Sequence, residues 1–123
     1  MKSALSLLTL VVGLSSAAMA ADLEKGKATY NINCAMCHGE KGDANSPAGQ
    51  ALNPKPRNFL ADNFKAGDSE DQIFQTITKG LPGTAMVAFA QIPEPDRKNL
   101  AAYVSSLRKA AKGGAAKPAA KKK

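Results

Sequence analysis

The sequence is poor in the residue types that usually build large cores and multi-ligand metal sites. Its 123 residues include no tryptophan, two tyrosines, four phenylalanines, two cysteines and one histidine. Two cysteines and one histidine fall short of the four ligands that a structural zinc site needs. With so few large apolar side chains, a small domain is only marginally stable. A prosthetic group bound in its middle would supply the missing apolar surface of the core.

The sequence also lacks a long hydrophobic run, because its most apolar stretch is shorter than the roughly 20 residues of a membrane-spanning helix. That stretch, Ala4 to Leu14, follows Lys2 and precedes an A-x-A pattern at residues 18–20. This order is typical of a secretory signal peptide over 1–20, and an uncleaved anchor is the alternative. We therefore expect an exported protein in an oxidising compartment such as a bacterial periplasm.

The net charge of +7 is distributed unevenly along the chain. Residues 22–107 carry nine basic and ten acidic side chains, whereas residues 108–123 carry seven basic and no acidic ones. The body is nearly neutral, which gives no reason to expect nucleic-acid binding. We predict one domain over 21–109 and a disordered lysine- and alanine-rich tail over 110–123. Clustered lysines in this tail would be attracted weakly to an acidic protein or membrane surface.

Apolar spacing and helix signals predict three helices, at about Leu23 to Asn33, Glu70 to Lys79 and Pro95 to Arg108. Between the first two, residues 42–59 contain three prolines and predict a long loop, which suits a compact domain when it wraps a buried group. Gly26 lies inside the first helix and costs about 1 kcal/mol relative to alanine. A close approach of another helix would justify that cost.

Both cysteines and the single histidine lie in the stretch INCAMCHGE at residues 32–40. A disulfide between Cys34 and Cys37 would close a very small loop, and redox-active CxxC pairs of the thioredoxin type occur in a βαβ context that the sequence does not show. C-x-x-C-H is the signature of covalent haem attachment, in which the two thiols form thioethers and His38 binds the iron. We therefore predict one covalently bound haem c.

The second axial ligand follows by elimination, because electron-transfer haems usually pair histidine with a second histidine or a methionine. Met1 and Met19 lie in the predicted signal peptide, and Met36 lies inside the motif on the same side of the ring as His38. Met86 remains, in a loop-like stretch that contains a Pro-Gly turn. The alternative is that Met86 is one more core residue.

From Asp22 to Leu107 the chain resembles the class I c-type cytochromes, which are small single-haem proteins of bacteria. The matching positions are the glycine and aromatic residue of the family's first helix, the attachment motif, the methionine loop and the L-x-x-Y pattern of its last helix: Gly26, Tyr30, Cys34–His38, Gly83–Phe89, Leu100 and Tyr103. Val87 departs from the proline that the family usually has after the methionine. The resemblance implies an all-α cytochrome c fold, with three main helices and long loops around one haem and the last helix packed across the first.

The resemblance also implies roles for two residues of the long loop. A proline carbonyl bonds the ligand histidine in the family, and Pro47 is the best match, with Pro54 as its competitor. Arg57, in the stretch PKPRNF, is a candidate partner of a haem propionate.

A haem iron with protein ligands on both faces has no open position and can pass single electrons. We therefore expect a soluble, monomeric, non-enzymatic one-electron carrier that exchanges electrons with redox partner proteins whose identity the sequence does not reveal. Two alternatives stay open. One is a haem subunit of a larger periplasmic oxidoreductase complex, and the other is a gas-binding haem protein with an open iron face.

Overall fold

The computed structural model describes residues 20–113, so the predicted signal peptide and the tail beyond Gly113 lie outside the described residues, save Ala20. Within this range the chain forms five helices and no strand. The helices are α1 (Leu23–Asn33), α2 (Ala35–His38), α3 (Pro47–Gln50), α4 (Glu70–Lys79) and α5 (Glu94–Gly113). The predicted all-α fold with three main helices is confirmed. No helix between residues 20 and 113 has the length and apolar character to cross a membrane.

Local capping explains where α1 and α4 begin and end. The Asp22 side chain accepts a hydrogen bond from the backbone N–H of Lys25 at the start of α1. Ser69 and Gln72 form a reciprocal capping box at the start of α4. Gly80 follows α4 with a φ of 72°, in the left-handed region that ends helices without strain at a glycine.

The last helix α5 runs to Gly113, beyond the end predicted at Arg108 and past the domain boundary expected at residue 109. The added turn is rich in alanine and lysine, which favour helix, and Lys112 bonds the carboxylate of Asp68, just before α4. Composition alone suggested disorder here because it does not show this contact with a distant part of the chain.

Helix α1 crosses α5 at Gly26. A Cβ atom at this position would lie 2.2 Å from the carbonyl oxygen of Asn99 and 2.9 Å from the Cβ of Tyr103. The Asn99 side chain also accepts a hydrogen bond of 2.9 Å from the backbone N–H of Asp22. The close helix approach predicted at Gly26 is therefore confirmed, and α5 packs across α1.

The buried core lies between α1, α4, α5 and one residue of the long loop. Its members are Tyr30, Phe59, Ile73, Ile77, Leu100, Ala101 and Val104. Cys34 of the attachment motif and Met86 are partly buried and pack against this same cluster. The core thus contacts both segments in which the sequence predicts cofactor-binding residues.

Candidate cofactor site

The attachment motif continues the course of α1 after one irregular residue. Cys34, with φ −122° and ψ −35°, interrupts the helix, and the next turn forms α2. The backbone N–H groups of Cys37 and His38 both donate to the carbonyl of Cys34, at 3.1 and 2.9 Å. This helical turn puts residues three and four apart on one face, so the two thiols and the imidazole of His38 share a face.

The chemistry of the Cys34 thiol argues against a redox disulfide. Both cysteines are free and partly buried. Burial, and then the neighbouring Cys37, raise the pKa of the Cys34 thiol to about 12. Because the thiolate is the nucleophile in disulfide exchange, a thiol that stays protonated at neutral pH is poorly suited to that reaction.

The His38 ring is held in the tautomer that a metal ligand needs. Its Nδ1–H donates to the backbone carbonyl of Arg57 at 3.0 Å, which leaves the Nε2 lone pair free to bind a metal. Burial lowers the pKa of His38, although the hydrogen bond to Arg57 opposes that shift. The ring of Phe59 stacks on the imidazole with centroids 4.5 Å apart. The imidazole is therefore neutral at neutral pH and fixed in orientation.

The prediction that the Pro47 carbonyl orients His38 is wrong, because the Arg57 carbonyl occupies that place. Pro47 instead begins α3, directly after the N-cap Ser46, where its missing N–H leaves no helix hydrogen bond unmade. The competing Pro54 does not supply the carbonyl either. Arg57 thus reaches the site through its main chain, and its predicted contact with a propionate stays a prediction.

The segment around α3 contacts the backbone of the attachment motif. The Ser46 hydroxyl donates to the carbonyl of Cys37 at 3.1 Å. A Cβ at Gly49 would lie 2.2 Å from that same carbonyl oxygen, so only glycine fits there. The phenol of Tyr30 donates to the carbonyl of Gly39 at 2.6 Å in a buried environment, which fixes the end of the motif to α1.

Met86 lies in a closed loop over residues 81–89, which we call the methionine loop. The backbone N–H of Leu81 donates to the carbonyl of Met86 at 3.0 Å, and the N–H of Met86 donates to the Thr84 hydroxyl at 3.1 Å. The N–H of Phe89 donates to the carbonyl of Ile77 in α4 at 2.9 Å. These bonds order the loop although valine stands where the family usually has proline.

Gly80 permits this closure. Its φ is 72°, and a Cβ there would lie 2.8 Å from the carbonyl oxygen of Met86 and from the N–H nitrogen of Ala88. The Met86 side chain is partly buried against the core rather than free in solvent. The loop therefore places one thioether against the same core cluster that Cys34 contacts.

These residues fit a haem better than a metal ion held by protein atoms alone. Within residues 20–113 no group of three or more His, Cys, Asp or Glu side chains is placed to hold a metal ion. The donors that are present are two free thiols on one face, an imidazole with a free Nε2, and a partly buried thioether. Two covalent anchors and two soft or borderline axial ligands are the donor set of haem c.

Two supporting residues escaped the sequence analysis. The Arg57 carbonyl could not be found because every residue carries one. Arg108 is buried and hydrogen-bonded to the Phe59 carbonyl. Its burial could have been predicted from its position, because it lies four residues after Val104 on the apolar stripe of α5.

Comparison with known proteins gives consistent matches over this part of the chain. The family model described as "Cytochrome C oxidase, cbb3-type, subunit III" matches residues 21–104. Cytochrome c6 of Synechocystis sp. is 38% identical over 96 residues, covering 76% of this chain and 72% of that protein. Cytochrome c-554(547) of Halothiobacillus neapolitanus is 32% identical over 101 residues, covering 72% of this chain and 100% of that protein.

Two further relatives belong to larger proteins or assemblies. The cbb3-type cytochrome c oxidase subunit CcoP of Azospirillum brasilense is 34% identical over 88 residues, and the chain spans only 29% of its length. A chain of the Kuenenia stuttgartiensis reducing HAO-like protein complex superimposes with a TM-score of 0.64 at 28% identity, covering 75% of this chain and 46% of that one. Proteins of very different length thus contain a segment that is similar to this chain.

Proposed function

The chain belongs to the class I c-type cytochromes, and on that premise we propose that it is a soluble, exported one-electron carrier with its haem iron bound by His38 and Met86. The family is one of covalent haem c proteins of electron transport, so one haem c is the cofactor. We assign the two thioether links to Cys34 and Cys37. Export after cleavage at Ala20, the monomeric state and the absence of catalysis are part of the proposal.

The observation that carries the proposal is the hydrogen bond from His38 Nδ1 to the Arg57 carbonyl. It fixes the ring so that Nε2 alone is offered to the iron, and it makes the imidazole a stronger donor. When bound, haem supplies an iron that accepts and releases one electron, and a methionine thioether favours the reduced state and raises the potential.

The chain's own residues limit what the iron can do. The methionine loop is closed by backbone bonds at Leu81 and Phe89, so Met86 is held in place rather than left to exchange freely with solvent. His38 and Met86 would both bind the iron, which would leave no coordination position for oxygen or substrate. This arrangement supports electron transfer and argues against the gas-binding alternative.

The visible spectrum of the reduced protein, with and without carbon monoxide, tests the proposal. We expect no change on adding the gas to the unmutated protein. Met86→Ala should keep its haem, bind carbon monoxide and have a lower midpoint potential. The matched control is Met36→Ala, because Met36 is 72% exposed and should leave both measurements unchanged.

Two results would contradict the assignment. A Soret band shifted by carbon monoxide in the unmutated protein would show an open iron face and favour the gas-binding reading. An unchanged potential in Met86→Ala would show that Met86 is not the ligand.

A second function has specific support, namely a haem subunit of a larger oxidoreductase complex. The chain spans 29% of a CcoP relative and 46% of a chain from the HAO-like complex, so related units occur inside larger electron-transfer assemblies. Native electrophoresis of an extract from the source cells, stained for haem, separates the two functions. Haem signal at the monomer position supports the free carrier, and signal only in a larger band supports the subunit.

A further inference from the structure

Arg108 is the one charged side chain among the buried residues of the part of the chain that the structure describes, with 4% exposure. Burying a charge is costly unless its hydrogen bonds are replaced. Its guanidinium donates to the carbonyls of Phe59 and Asp62 and to the Asp68 carboxylate, and its Cζ lies 4.2 Å from the centroid of the Phe64 ring. All four partners lie in residues 59–68, within the loop between α3 and α4.

That segment begins two residues after the carbonyl that holds His38. The Arg57 carbonyl accepts the Nδ1 proton, and the Phe59 ring stacks on the imidazole at 4.5 Å. Phe59 therefore contacts the ligand histidine through its ring and Arg108 through its carbonyl, at 3.0 Å. Its backbone N–H donates to the carbonyl of Gly42 at 2.7 Å, so the peptide groups on both sides of Phe59 are hydrogen-bonded.

Residues 58–62, between the Arg57 carbonyl and the Asp62 carbonyl that Arg108 binds, form a closed turn. The backbone N–H of Asn58 donates to the Asp62 carboxylate at 2.9 Å, and the N–H of Asp62 donates to the Asn58 carbonyl at 2.8 Å. Residues 58–62 are thus tied into one turn. This turn connects the end held by Arg108 with the peptide that follows Arg57.

We propose that Arg108 is a positioning residue for the axial histidine. It fixes the 58–62 turn and thereby sets the length of the hydrogen bond from His38 Nδ1 to the Arg57 carbonyl. That bond moves electron density onto the imidazole, and a more basic imidazole stabilises the oxidised iron. The inference rests on the proposed role of His38 as an iron ligand.

The variant that tests this is Arg108→Lys in the haem-loaded protein. Lysine keeps the positive charge, so a change in potential reports geometry rather than lost charge. It lacks the planar fork that serves several acceptors at once, and it cannot stack on Phe64 in the same way. The matched control is Lys112→Arg, because Lys112 bonds the same Asp68 carboxylate from an exposed position and the substitution also keeps the charge.

Two readouts separate positioning from stability. The first is the exchange rate of the His38 Nδ1 proton in the reduced protein, measured by NMR against the backbone amide of Ile77 in the core. The second is the midpoint potential. For Arg108→Lys we expect Nδ1 exchange faster by at least about tenfold relative to Ile77, since local opening controls exchange. We also expect a higher potential, and no change of either in Lys112→Arg.

Equal acceleration of both protons at an unchanged potential would overturn the proposal and leave Arg108 a purely structural residue. Should Arg108→Lys fail to fold, Phe64→Leu removes the ring under the guanidinium without changing charge. It should shift both readouts in the same directions by less, and unchanged readouts would overturn the proposal equally. Failure of the proposed function is distinguishable, because it shows in the unmutated protein as carbon monoxide binding.

Discussion

Replacement of Gly26 by alanine tests the helix crossing on which the fold depends. Two effects oppose each other. Alanine favours the helix over glycine by about 0.8–1 kcal/mol. The new Cβ, however, would lie 2.2 Å from the Asn99 carbonyl oxygen, 2.8 Å from its carbonyl carbon and 2.9 Å from the Tyr103 Cβ. Two of these atoms are backbone, so α5 itself must move.

The clash should win. Overpacking a close contact costs about 1–3 kcal/mol, and a contact this short with backbone belongs at or above the upper end. After the gain in helix propensity, we expect a net loss of about 2 kcal/mol or more in the free energy of unfolding. For a domain of this size each kcal/mol lowers Tm by roughly 4–8 °C.

Urea unfolding of the haem-loaded protein, followed by far-UV circular dichroism, measures the effect. The matched control is Ala28→Gly, an exposed position of the same helix, which should lose about 1 kcal/mol from propensity alone. A gain of stability in Gly26→Ala, equal and opposite to the loss in the control, would mean that α1 has room at Gly26. The described crossing of α1 and α5 would then be refuted.

Three further predictions follow from single contacts. Tyr30→Phe should cost about 0.5–1.5 kcal/mol, because it removes the 2.6 Å hydrogen bond from the phenol, while the Gly42 N–H still donates to the same Gly39 carbonyl. The same change at the half-buried Tyr103 is the control, and equal losses would count against a special role for the Tyr30 phenol. Gly80→Ala should loosen the methionine loop and let the reduced protein bind carbon monoxide, whereas Gly83→Ala, also at positive φ but with no atom within 4 Å of its Cβ, should not. Hydrogen bonds from two cationic side chains hold the pKa of Asp68 below its usual range, so its stabilising effect is present above about pH 4 and is lost as pH falls through the lowered pKa. When the free energy of unfolding is measured from pH 7 to 2, Asp68→Asn should lack this loss of stability at low pH. The same pH profile in both proteins would exclude a stabilising contribution of the Asp68 carboxylate.

The features that sequence predicted well are those encoded locally. The first residues of α1 and α4 follow from Asp22 and the Ser69 capping box, which act within one helical turn. Cys34, Cys37 and His38 lie within five consecutive positions, so the fold cannot place them far apart. Local signals of this kind survive folding because no distant residue is needed to satisfy them.

The features that sequence missed depend on partners far along the chain. The group that orients His38 is a backbone carbonyl, which has no side-chain signature, and the expected proline pointed ten residues away from Arg57. The last turn of α5 is tied to the loop by Lys112 and Asp68, a contact between residues 44 positions apart. Composition alone predicted a solvated end around Lys112, because composition does not show that Asp68 lies close to it in the fold.

The few aromatic rings of the chain pack against one another in the structure. Tyr103 of α5 lies 5.4 Å from Tyr30 of α1, Tyr30 lies 6.2 Å from Phe59, and Phe59 contacts both Phe64 and the His38 imidazole, at 5.4 and 4.5 Å. Most of the chain's large rings thus form one connected cluster that ends on the proposed iron ligand. Because packed rings transmit displacement rather than absorb it, core substitutions at Tyr30 or Phe59 should change the midpoint potential together with the stability. A substitution there that lowered Tm and left the potential unchanged would show that the core and the ligand are mechanically independent.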